Sequence, residues 1–232
     1  MTSALPGRAR GPLSDDVASW LTQKISSGQW PLDSRIPSEP VLIEELGVSR
    51  GTLREAIKAL SHVGMLEVRR GDGTYVRATN EFDGTARQVY QQHSDQDVLQ
   101  LRFALDTQAA RLAVNAATTE QIKRLRELLG TRRDAWIAQD YESWVEADWQ
   151  FHLTVAEASG NSLLGEVYRS FEEVFHGTKM QQRLREGFDG CLSAGHEELL
   201  SAIEKRDEAS AADSVNTNLD YCMSWAVRDS RQ

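Results

Sequence analysis

The stretch GVSRGTLREAIKAL, residues 47–60, decides how the N-terminal part of this chain folds. Gly47 supplies a turn, and the spacing that follows predicts a helix from Ser49 to about Val63, ended by Gly64. Leu53, Ile57 and Leu60 fall at i, i+4 and i+7, so they share one face and turn inward. Arg50 and Arg54, four residues apart, share another face and turn outward. Ser49, Arg50, Thr52 and Arg54 at the start of this helix are short or forked hydrogen-bond donors.

The flanks complete the pattern. Upstream, SDDVASWLTQKISSGQW (14–30) carries an apolar stripe of Val17, Trp20, Leu21 and Ile25, with Ser14 as the expected cap and Gly28 as the stop. PLDSRIPSE (31–39) is expected to be a connector. Ser38 should cap a second helix that tolerates Pro40 in its first turn and ends near Leu46. Downstream, MLEVRRGDGTYVRA (65–78) has two β-rich runs around Gly-Asp-Gly, the pattern of a short hairpin. Three helices followed by a hairpin make a winged helix-turn-helix. In that arrangement the last helix enters the major groove of DNA, where an arginine can hold a guanine edge bidentately for about 1–3 kcal/mol of discrimination. The hairpin adds Arg69 and Arg70 beside Gly71 and Gly73, whose missing side chains permit close approach. A small helical domain with merely solvated arginines is the bland alternative. The ordered succession of turn, donor-led helix and basic hairpin argues against it.

A net charge of −9 does not count against nucleic acid once it is divided. Residues 1–77 sum to +1 and residues 78–232 to −10, so the acidity belongs to the part that need not touch DNA. No apolar run approaches the roughly 20 residues that span a bilayer, and the first residues lack the apolar core of a signal peptide. The expected location is cytoplasmic, with no membrane partner. Cys191 and Cys222 form no CxxC pair and are expected to be small buried hydrophobes.

The expected organisation is a flexible arm at 1–12, a DNA-binding domain at 13–78, a linker at 79–96 with room for a short helix, and an all-helical bundle at 97–228. Helix-periodic segments fill the last of these without β-rich interruption. Within it, Asp148 and His152 are i and i+4 on one helix and project together. His196 and Asn218 follow on later segments. A carboxylate and imidazoles converging inside a bundle suit a divalent ion, although a helical D-x3-H pair is commonly just a salt bridge. Trp144, Trp149, Phe151 and Tyr168 are expected in the core, and Asn161 shapes a turn. His62, His93 and His176 have no matching partners.

Two resemblances can now be named. Residues from about 13 to 77 resemble the GntR-type winged helix domain, on the stretch IPSEPVLIEELGVSRGTLREAIKALSHVGMLEVRRGDGTYV at 36–76. That resemblance implies that Arg50, Thr52 and Arg54 read an operator, with Arg70 and Gly71 acting from the wing. Pro40 stands where the family usually has arginine, and Asp72 at the wing tip should repel phosphate. LQLRFALDTQAARLAVNAA (99–117), DWQFHLTVAEASGN (148–161) and HEELLSAIEKRDEASAADSVNTNL (196–219) resemble the FCD effector domain of the FadR-like subfamily. In its metal-binding members one aspartate and three histidines hold an ion, zinc or nickel, that helps bind a small carboxylate. Asp148, His152 and His196 match three of those positions and Asn218 stands at the fourth. Three outcomes stay open: an ion completed by solvent or effector, weak metal binding, or a metal-free pocket, with Cys222 a less favoured substitute ligand. The resemblance also places Arg102 beside the effector, where its fork suits a carboxylate; an ion pair with Asp106 is the alternative.

The implied protein is a homodimeric repressor, released from operator DNA by a small organic acid. The rival readings are a metal-dependent enzyme built on Asp148, His152 and His196, or a sensor with an inactive DNA module.

Overall fold

The computed structural model describes residues 13–172 and 195–217. The arm at 1–12, Cys191, Cys222, His176 and Asn218 lie outside them. The chain divides into two compact units, 1–89 and 90–232.

In the first unit, α1 (Leu13–Ser26), α2 (Glu39–Leu46) and α3 (Arg50–His62) bury one stripe each. Val17, Leu21, Leu42 and Leu53 are wholly buried where these stripes meet. Ser14 lies inside the first turn of α1 and is not its cap, because the helix already includes Leu13. Ser38 occupies the cap of α2 without a side-chain hydrogen bond. Ser49 caps α3 properly, accepting from the Thr52 N–H. Gly47, at φ 65°, makes the turn between α2 and α3 that a side chain would strain.

Strands β1 (Leu66–Arg69) and β2 (Gly73–Val76) pair antiparallel, Leu66 opposite Val76 and Arg69 opposite Gly73. The connector is more ordered than its sequence suggests: Arg35 bridges Tyr75, Ile36 N–H donates to Thr74 O, and Val76 N–H donates to Ser34 O. The segment expected as a linker carries α4 (Glu81–Tyr90). Its Gly84 meets Gly64 backbone to backbone, so closely that a Cβ on either would stand 2.3 Å from a carbonyl oxygen.

The second unit is helical throughout its described residues: α5 (Asp95–Ala116), α6 (Thr119–Ile137), α7 (Tyr141–Ala158), α8 (Ser162–Arg169), α9 (Gly195–Lys205) and a helical stretch at 208–217. The breaks are written in caps. Ser94 with Asp97 and Thr118 with Gln121 form capping boxes for α5 and α6, while Asp140 and Asn161 cap α7 and α8. Arg206 donates to the Val114 and Ala117 carbonyls, which satisfies the end of α5. Helix α7 packs against α5, α6 and α8, and α9 packs against α5 and α6. Trp149, Phe151 and Tyr168 are fully buried and Trp144 nearly so, which confirms them as core.

Candidate functional site

In the first unit the expected contact residues Ser49, Arg50, Arg54, Arg70 and Gly71 are exposed and Thr52 is half-buried. Arg50 and Arg54 project from α3 away from Leu53, Ile57 and Leu60, which are buried. Ser49 and Thr52 engage one another, their hydroxyl oxygens 2.8 Å apart, so the start of the helix is locally fixed. Arg54 is also held: its Nε donates to both oxygens of Glu39 at 3.0 and 3.1 Å. Glu39 was not among the expected residues, and nothing local marks it, because its partner lies fifteen positions away. On the hairpin, Gly71 turns the chain at φ 78° and Arg70 is exposed beside it. Asp72, expected to repel phosphate, is engaged within the protein. Tyr75 donates to it at 2.9 Å, and the Arg35 guanidinium approaches to 3.9 Å. Arg35 fills the space a Cβ on Gly73 would need, which explains glycine there.

The second unit brings Asp148, His152 and His196 together. Asp148 and His152 project from one face of α7, and His196 enters from the first turn of α9. His152 Nε2 and His196 Nε2 stand 3.1 Å apart. His196 Nε2 is 3.2 Å from Asp148 Oδ1, and His152 Nε2 is 4.0 Å from Asp148 Oδ2. His152 Nδ1 faces Asp106 of α5 at 3.4 Å, the arrangement by which a carboxylate orients a ligating imidazole. Tyr168 of α8 donates to Asp106 at 2.7 Å and accepts from Arg102 Nε at 2.9 Å. Arg102 also stands 3.5 Å from Asp106, so the ion pair read as the alternative role for Arg102 is present.

Arg132 of α6 is the unexpected member. It is 3 % exposed, its Nε lies 2.7 Å from Asp148 Oδ1, and its guanidinium stands over the Trp144 ring at 4.8 Å. A signal existed: Arg132 falls on the stripe of Leu125, Leu128, Leu129 and Ala135, where a solvated cation does not belong.

The electrostatics follow from burial and pairing. Burial would raise the Asp148 carboxyl, but Arg132 and the contact from His196 outweigh it and hold the group well below its ordinary range. Burial pushes the His196 imidazole down to about 4 despite Asp148 beside it, so it is neutral at pH 7. Asp106 is lowered in the same way as Asp148, with burial overcome by His152 and Arg102.

This donor set meets an ion's needs in type, and in spacing at two of its three pairs, with His152 and Asp148 wider at 4.0 Å. Ligand atoms about 2.0–2.2 Å from one ion stand about 3 Å apart, and His196 is neutral as a ligand must be. It does not meet them in charge. The Asp148 oxygen that faces His196 is the one Arg132 already holds. Among the described residues the carboxylates of Asp106 and Asp148 are each matched by a guanidinium.

Comparison with known proteins agrees with both units. Residues 13–76 match the family described as bacterial regulatory proteins, gntR family, and residues 97–220 match the FCD domain. The Uxu operon transcriptional regulator of Escherichia coli K12 is 31 % identical over 204 residues, spanning 84 % of this chain and 79 % of that one. The HTH-type transcriptional regulator LutR of Bacillus subtilis 168 is 31 % identical over 144 residues, spanning 60 % of this chain and 65 % of that one. Among solved structures, E. coli McbR/YncC shares the fold with a TM-score of 0.52 and 20 % identity, over 95 % of this chain and 99 % of that one. Among the described residues no helix is long and apolar enough to cross a membrane.

Proposed function

The chain belongs to the GntR family of bacterial regulatory proteins and carries an FCD domain, and on that premise we propose that it is a repressor which a small organic acid releases from its operator. It is a DNA-binding transcriptional regulator and not an enzyme, as its relatives are. Residues 13–78 are the DNA-binding domain, 79–96 the connection, and 97–228 the domain that takes the effector and pairs two copies of the chain. Arg50, Thr52 and Arg54 read base edges in the major groove, with Ser49, Arg70 and Gly71 against the phosphates. One observation carries this reading. Arg50 and Arg54 stand on the exposed face of α3, and Glu39 holds Arg54 by its Nε while the arginine side chain stays 60 % exposed.

The effector reading rests on the buried cationic side chains of the second unit. Arg102 is anchored by Tyr168 and Asp106 with Arg132 in the same cluster, and guanidinium forks are matched to carboxylates. Binding releases the operator only through a difference in the acid's affinity for the DNA-bound and free states. The test is a gel shift at fixed salt on the promoter fragment beside the protein's own gene, with a panel of organic acids. Retardation relieved by one acid is the expected result. A shift that no acid alters would overturn release by an organic acid, and no retardation at all would overturn the operator assignment.

A further inference from the structure

Arg132 is accounted for neither by the DNA-binding motif nor by the expected ligand set. It sits among apolar residues on the buried stripe of α6, and an arginine buried to 3 % exposure persists only beside a counter-ion. That counter-ion is Asp148, the one carboxylate among Asp148, His152 and His196. The same oxygen of Asp148 lies 2.7 Å from Arg132 Nε and 3.2 Å from His196 Nε2. An ion seated between Asp148 and His196 would compete with a cation that is tethered to the chain and cannot diffuse away. Its entry would also add two positive charges to a buried cluster in which Asp106 and Asp148 already face Arg102 and Arg132.

We propose that Arg132 stands in for the divalent ion at Asp148, so that this site works without a metal. The inference rests on the effector reading above and deepens it. The site resembles a metal centre in its donor atoms, yet its positive charge comes from an arginine. The effector response of this chain then needs no divalent ion, and Arg132 is a positioning residue that fixes Asp148 and, through it, His196.

The decisive measurement is a calorimetric titration of the full chain, purified without a histidine tag, with zinc alone. Wild-type protein should show no stoichiometric uptake at micromolar zinc. Arg132→Met, which keeps length on an apolar stripe, should gain one site per chain at least a hundredfold tighter, with a zinc-dependent rise in melting temperature that wild type lacks. Adding Asp148→Asn to that variant should abolish both gains. Tight uptake of one zinc by wild-type protein, lost in His196→Ala, would overturn the proposal. So would an unchanged zinc affinity in folded Arg132→Met. Where Arg132→Met does not fold even with zinc, the wild-type titration alone decides. Zinc uptake is read independently of DNA, so a failed gel shift would remove the operator assignment and leave this result standing.

Discussion

On the proposed reading Arg54 and Arg70 do different work on DNA, and their variants should separate accordingly. Arg54 is a fork held in place by Glu39, which suits a bidentate contact with a base edge. Arg70 sits exposed beside Gly71 on the hairpin, which suits a phosphate. Arg54→Ala should therefore weaken operator binding by about 1–3 kcal/mol while leaving non-specific binding nearly intact. Arg70→Ala should weaken both alike and lower the slope of log affinity against log salt by about one. Salt-titrated gel shifts on operator and scrambled DNA distinguish the two, and a uniform loss in both variants would remove the base-reading role of Arg54. In the second unit the pH dependence has a definite sign. The His196 imidazole is pushed from 6.5 down to about 4, so between those values the unfolded chain carries a proton there that the folded chain does not. Stability should fall by about 3 kcal/mol as pH drops from 6.5 to 4. The Asp148 contribution, from a lowered group, persists through that window and is lost only in stronger acid. Urea midpoints across this range, taken with a chelator present, should show the slope in wild type and a flatter one in His196→Gln.

Two glycines test how the elements of the first unit are joined. Gly47 and Gly64 share a left-handed backbone, but only Gly64 faces another main chain. Gly47→Ala should cost about 1 kcal/mol of strain, since nothing lies within 4 Å of its new Cβ. Gly64→Ala places a Cβ 2.3 Å from the Gly84 carbonyl oxygen, and it should cost more than about 2 kcal/mol, the strain and the displaced helix adding together. Equal melting temperatures for the two variants would mean that α4 does not press on Gly64. The same contrast explains what was legible beforehand. The Ser49 cap, the Leu53, Ile57 and Leu60 stripe, and the glycine turn of the hairpin are local patterns, and the sequence states them directly. The Arg35 to Tyr75 bridge, the glycine contact beneath α4 and the Arg132 to Asp148 pair join residues from different elements. A periodicity argument can flag Arg132 as out of place on its stripe. It cannot say that the partner is an aspartate sixteen residues on, because that depends on how α6 crosses α7. Asp148 beside His152 was legible from their i, i+4 spacing, whereas His196 joining them from another helix was legible only through family resemblance, for the same reason.

The charge of the whole molecule is unevenly divided, +1 over residues 1–77 and −10 beyond them, so the acidity lies away from the DNA-binding part. On the proposed reading, two copies on two half-sites multiply the specificity that one copy could reach. Half-sites one helical turn apart, about 34 Å between centres, are what two recognition helices of this kind read. An operator cut to one half-site should bind at least a hundredfold more weakly than the whole. Two chains should be found on the intact operator by mass photometry, and one chain per full operator would refute the pairing. The effector adds a stricter requirement. If a single equilibrium between a DNA-bound and a released state connects the acid to the operator, the two ligands must oppose one another by one factor. An acid that raises the operator Kd thirtyfold by filling both pockets of a dimer must itself bind the operator complex about fivefold more weakly at each pocket, the two factors multiplying to about thirty. Calorimetric titration of the acid into protein with and without operator measures the pocket factors, and the gel shift measures the operator factor. A product equal to the operator factor places both sites on one linked equilibrium. An unequal product would mean that the acid acts on DNA binding by a route outside this chain, such as competition for the operator itself.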